Sequence, residues 1–129
     1  MSYRDEDRLA DIQAAIAAIR SHLERGTLAD GMVFDAVRMR LLEIGEAVKA
    51  ISGDLLATQP GIPWQQVAGM RDHLAHRYFD TAHAILQATV DEDLPELEQA
   101  VSALAESLQS KEDAERSRAA PQQQAEPEP

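Results

Sequence analysis

The chain contains no cysteine, which removes disulfide scaffolds, cysteine-ligated zinc sites and thiol nucleophiles from consideration together. Aromatic residues make up only 4% of the sequence, so the core has to be assembled from Ala, Leu, Ile and Val. No run approaches the ~18 apolar residues of a membrane span. The opening MSYRDEDRLADI also has no basic stretch leading into an apolar one, as a secretory leader would. A glycine-rich phosphate loop, a His-Glu-x-x-His pair and a serine nucleophile elbow are missing too. Positive charge is scarce: 12 Lys and Arg stand against 23 Asp and Glu, for a net charge of −11. A field of that sign disfavours a general nucleic-acid coat, charge-driven DNA binding and adsorption to anionic lipid. What remains is a soluble, cytoplasmic protein of one domain, since 129 residues leave room for a single modest core.

Helical periodicity is what the sequence does have. Leu9, Ile12, Ile16, Ile19 and Leu23 recur at steps of three and four, the stripe of an amphipathic helix. Gly26 is placed to end that helix with a left-handed residue. Val33, Val37, Leu41, Ile44, Val48 and Ile51 repeat the pattern and predict a second helix from about residue 30 to 52. Ser52-Gly53 stops it, and a connection runs through Thr58 to Pro60. Pro63 suits the first turn of a third helix, which carries Trp64, Val67, Met70, Leu74 and Tyr78 inward. Asp80 is a candidate cap for a short fourth helix from about Thr81 to Val90. Asp91, Glu92 and Asp93 before Pro95 predict a break or kink. Leu94, Leu97, Val101, Leu104 and Leu108 form the last stripe. No segment alternates with period two, so the expected class is all-α, an up-and-down bundle of four to five helices. Gly45 on the second helix reads as a close helix–helix contact, and Glu46 as the partner of an arginine.

From Ser110 the composition changes to Lys, Glu, Asp, Ser, Gln, Pro and Ala, ending QQQAEPEP. Such a segment buries too little apolar surface to offset its chain entropy. The expected organisation is a helical domain over residues 1–109 and a disordered acidic tail over 110–129. No internal repeat is present.

Three of the four histidines fall in RDHLAHRYFDTAH, residues 71–83. On a wheel of ~100° per residue, Arg71 lies at the edge of the apolar face and His76 on the far side of a sector floored by Ala75. Asp72 stands one turn before His76, where it can accept a hydrogen bond from a ring nitrogen and fix the tautomer. His73 and Arg77 point further around. An arginine and a histidine on one groove suit phosphodiester chemistry without a metal. Histidine moves a proton to or from a ribose hydroxyl near neutral pH, and arginine holds a phosphate in a two-pronged grip. Residue types alone leave open the reading of a solvated helix face. A metal reading is weaker: Asp80-x-x-His83 has helical ligand spacing, but no matching carboxylate and histidine pair completes a di-iron bundle. His22 reads as a surface residue of the first helix.

The stretch IPWQQVAGMRDHLAHRYFD resembles the signature of the HepT-like toxins, members of the HEPN group of small helical proteins. The family's Arg, four residues, His, one residue, Tyr reads here as Arg71, His76 and Tyr78. RLLEIGEAVKAIS, residues 40–52, is similar to the family's second helix, and ATVDEDLPELEQAV, residues 88–101, to its C-terminal helix. The likeness runs in order from about residue 5 to 108.

The resemblance implies a HEPN-like bundle working as a homodimer, and the toxin half of a bacterial toxin–antitoxin pair. It implies a metal-independent endoribonuclease needing no cofactor, with RNA as substrate and Arg71 and His76 as the catalytic pair. It implies a minimal nucleotidyltransferase antitoxin as partner, which attaches AMP to Tyr78. Asp72, His73 and Arg77 would be supporting residues. Arg77 departs from the small residue many relatives carry there and adds charge beside Tyr78. The contrasting expectation is a non-catalytic dimeric module that binds and regulates such a nucleotidyltransferase. Acidity runs against an RNA substrate, so the cations Arg38, Arg40, Lys49, Arg71 and Arg77 would have to concentrate locally.

Overall fold

The computed structural model describes residues 4–70, Leu74 and 79–124. The first helix, α1 (Asp5–Arg25), begins with Asp5, Glu6 and Asp7 and ends with His22 and Arg25, charges that oppose the helix dipole at each end. The Arg4 backbone N–H donates to Asp7 Oδ2 at 3.1 Å, closing the first turn. Leu9, Ile12, Ala15, Ile16 and Ile19 are its buried stripe, as the three–four spacing predicts.

Gly26 does not take the left-handed conformation expected of it. Its φ is 176°, extended backbone open to any residue. The missing side chain matters for space instead, because a Cβ there would sit 3.2 Å from Val33 Cγ2. Asp30 then caps α2 (Gly31–Lys49), with Oδ1 accepting from the N–H groups of Met32 at 2.8 Å and Val33 at 3.5 Å. Helix α2 stops earlier than expected, although Ile51 beyond it is still buried.

The link after α2 contains a one-turn helix that the sequence pattern did not predict, α3 (Gly53–Leu56). Its entry is fixed from outside: the Ser52 N–H and Oγ donate to Asp5 Oδ1 and Oδ2 at 3.1 and 2.7 Å. That contact brings the end of α2 to the start of α1, so the two helices run antiparallel. Trp64 opens α4 (Trp64–Ala68) and donates its Nε1–H to the Gln59 carbonyl at 2.9 Å, pinning the loop before it. The expected single helix from Pro63 to Tyr78 is not what the described residues form. Helix α4 ends at Ala68, Gly69 is a turn, and Met70 and Leu74 are again helical.

Helix α5 (Phe79–Ala88) includes Asp80, which therefore is not its cap. The expected break before Pro95 takes another form. Residues Thr89–Asp93 make a π-helical turn that leads into α6 (Leu94–Gln124) without leaving the helix. The cause is local. Pro95 has no N–H to offer the Asp91 carbonyl, and the Leu94 N–H reaches back five residues to Thr89. Val90 and Leu94 stay buried while Asp91, Glu92 and Asp93 face solvent.

Helix α6 runs antiparallel to α1: Arg20 Nη2 bridges Glu98 Oε1 at 2.6 Å, and the Glu6 carboxyl shares a hydrogen bond with Glu112. Beyond Ser110, where the composition predicts a disordered tail, the chain continues helical to Gln124. Residues 113–119 are exposed there, so the segment gains nothing from burial. Its support is local: good helix-forming residues and the pairs Gln109–Asp113 and Arg116–Asp113. The common core is made of Leu, Ile, Val and Ala with Phe34, and the fully buried Leu74, Leu86 and Leu104 join it from the later elements. The class is all-α, and no strand occurs among the described residues.

Candidate functional site

The residues that the sequence singles out, Arg71, Asp72, His73, His76, Arg77 and Tyr78, lie outside the described residues. What the structure describes is the frame on either side of them. Leu74, in the middle of the motif, is 1% exposed and packed in the core. Trp64, Val67 and Met70 are partly buried against the same core. The face predicted to point inward does so at each of these positions, which anchors the segment on its apolar side.

Helix α2 holds the segment from the other side at two points. At Gly45 the missing side chain permits close approach: a Cβ there would stand 3.0 Å from the Val67 carbonyl oxygen and 3.5 Å from that of Ala68. The expectation of a close helix–helix contact at Gly45 is met, with α4 as the partner. Seven residues earlier, Arg38 donates from Nε and Nη2 to the Leu74 carbonyl oxygen, at 3.3 and 3.1 Å. Sequence reasoning counted Arg38 only as a nearby cation. The signal for more was its spacing: two helical turns before Gly45, it shares that residue's face of α2.

The other cations on α2 are engaged locally. Arg40 pairs with Glu43 at 3.1 Å, and Lys49 with Glu46 at 3.3 Å, both at i,i+3 on an exposed surface. Such pairs add little stability, but each offsets the positive charge of its cation. Glu46 is thus engaged by a lysine of its own helix. A shallow cavity of about 630 Å³ between α1 and α2 has a mixed lining that includes Arg8, Asp11, Arg40, Glu43 and Glu46. His22 is half-buried on α1. Asp80 and His83 both lie on α5, and no cluster able to hold a metal occurs among the described residues. No helix among them is long and apolar enough to cross a membrane.

Comparison with known proteins bears on the same stretch. Residues 12–104 match the family model described as Ribonuclease HepT-like. The chain is 39% identical over 101 residues to a protein of Thermococcus cleftensis named as a probable ribonuclease HepT, covering 75% of this chain and 92% of that one. It is 42% identical over 64 residues to a candidate RNase of Caldanaerobacter subterraneus subsp. tengcongensis, covering 49% and 57%. A candidate RNase of Methanocaldococcus jannaschii is 38% identical over 74 residues, covering 57% and 64%. No solved structure matches the chain.

Proposed function

The chain belongs to the HepT-like ribonuclease family, and from that premise we propose that it is a metal-independent endoribonuclease acting as the toxin of a toxin–antitoxin pair. The observation that carries the reading is the family match across residues 12–104, a span that contains Arg71, His76 and Tyr78 at the motif spacing. His76 takes the proton of a ribose 2′-hydroxyl as general base. The 2′-oxygen then attacks the adjacent phosphorus, the 5′-oxygen of the next nucleotide leaves, and a 2′,3′-cyclic phosphate end remains. Arg71 binds the phosphate and offsets the charge that grows on its oxygens. Asp72, His73 and Arg77 support this pair. The chain works as a homodimer, which supplements a core poor in aromatic residues.

Control falls to Tyr78, as acceptor of AMP from a nucleotidyltransferase antitoxin. One AMP places about one negative charge beside Arg71 and fills the groove with a nucleoside, so charge and bulk both exclude RNA. The test is growth arrest on expression. His76→Ala is expected to abolish arrest, and Tyr78→Phe to keep it while escaping the antitoxin. Arrest that persists in His76→Ala would sink the nuclease assignment and leave a non-catalytic module. A Tyr78→Phe protein still silenced by the partner would show that binding alone inhibits. A monomer mass in light scattering would remove the dimer.

A further inference from the structure

We infer that Arg38 is a positioning residue for the motif: from α2 it sets where Arg71 and His76 stand by holding the Leu74 carbonyl. The inference rests on the nuclease reading for its catalytic consequence, but its geometry stands apart from that reading. Two N–H groups of one guanidinium edge converge on a single oxygen, at 3.3 and 3.1 Å. A charged donor strengthens such bonds, and two donors of a rigid plane fix direction as well as distance.

Leu74 is held on both sides. Its side chain is sunk in the core, and its carbonyl is held by Arg38. In the sequence it lies three residues after Arg71 and two before His76, so the fixed point falls between the two catalytic groups. Any slide of the segment along α2 displaces both. The close approach at Gly45 is a second fixed point, facing Val67 and Ala68. Rising residue numbers on α2, 38 to 45, face falling numbers on the segment, 74 to 67, so the two grips define one antiparallel register. A backbone contact of this kind needs a long, doubly donating side chain at position 38 and makes no demand on the residue type at 74.

The test compares wild type, Arg38→Gln, Arg38→Lys and, as a charge-matched control, Arg20→Gln, whose site lies on the α1–α6 side. Cleavage of a short RNA is measured alongside amide exchange over residues 70–78. A displacement of about 1 Å at reacting groups costs up to about a hundredfold in rate. Arg38→Gln is therefore expected to lower kcat by between about tenfold and a hundredfold, with KM within about twofold, and to speed exchange in that peptide. Arg38→Lys, with one donor for the carbonyl, recovers part of kcat, and Arg20→Gln matches wild type. If Arg38→Gln fails to fold, Arg38→Lys carries the comparison. An unchanged kcat, or a raised KM with a changed salt dependence, overturns the inference and makes Arg38 an RNA contact or a bystander. If wild type itself cleaves no RNA, the nuclease reading falls. Exchange then decides alone: faster exchange in Arg38→Gln upholds the positioning role, and unchanged exchange overturns it.

Discussion

Gly45 stands where α2 faces α4, and the atom that a side chain would meet there is a backbone carbonyl, 3.0 Å away. A carbonyl in a helix cannot rotate aside as a methyl group can. Gly45→Ala gains about 1 kcal/mol of helix propensity but incurs overpacking of about 1–3 kcal/mol. The expected net result is a loss of about 1 kcal/mol in urea unfolding, with a larger fractional loss of RNA cleavage because α4 leads into the motif. A stability equal to wild type would mean that α4 yields without strain. Gly26 is the contrasting case: its nearest neighbour would be a valine methyl at 3.2 Å and its backbone is extended. The sequence separates the two glycines by position, one after a helix and one inside it, but does not say which atom either one faces.

Helices that the periodicity predicts are there where the apolar stripe is long, as in α1 and α2. Misplaced elements are those decided by a few residues. The turn α3 is held by Asp5, 47 residues away, and no local pattern announces such a partner. The acidic run before Pro95 looks like a stop, yet the missing proline donor is absorbed by a π-helical turn. Burial of Val90 and Leu94 on either side keeps the chain helical there. Capping at Asp30 was also open to local reading, since a carboxylate directly before the helix meets its unpaired N–H groups. Asp30→Ala is expected to cost about 1 kcal/mol in thermal or urea unfolding. A change well below half of that would mean that tertiary packing alone sets the start of α2.

Across the whole molecule, negative charge has a visible structural consequence where α6 passes the start of α1. The Glu6 carboxyl titrates above its usual value, first because of the hydrogen bond to Glu112, then because of that residue's charge. A raised folded-state value means that the contact stabilises below the ordinary carboxylate range. That contribution is lost as pH rises through the folded value. At neutral pH the two acids repel. Glu112→Gln keeps a hydrogen-bonding group and removes one charge. It is expected to raise the melting temperature at pH ~7 and to flatten the decline between pH ~4 and ~7. An unchanged pH profile would mean that the two carboxyls do not interact in solution.

The sequence by itself determined the all-α class, most of the residues of the core, the acidic surface and the motif with its family, while Leu28, Phe34 and Leu86 joined the core outside the predicted stripes. Each feature so determined follows from composition or from spacing along one chain, and neither requires knowledge of the fold. Only the tertiary structure decided what braces the motif segment. Arg38 lies 36 residues before Leu74, and Gly45 is small because of a carbonyl in another helix. Both depend on the antiparallel register of α2 against the segment from Trp64 to Leu74. That register is set by how two apolar faces pack together, which no single stretch of sequence records.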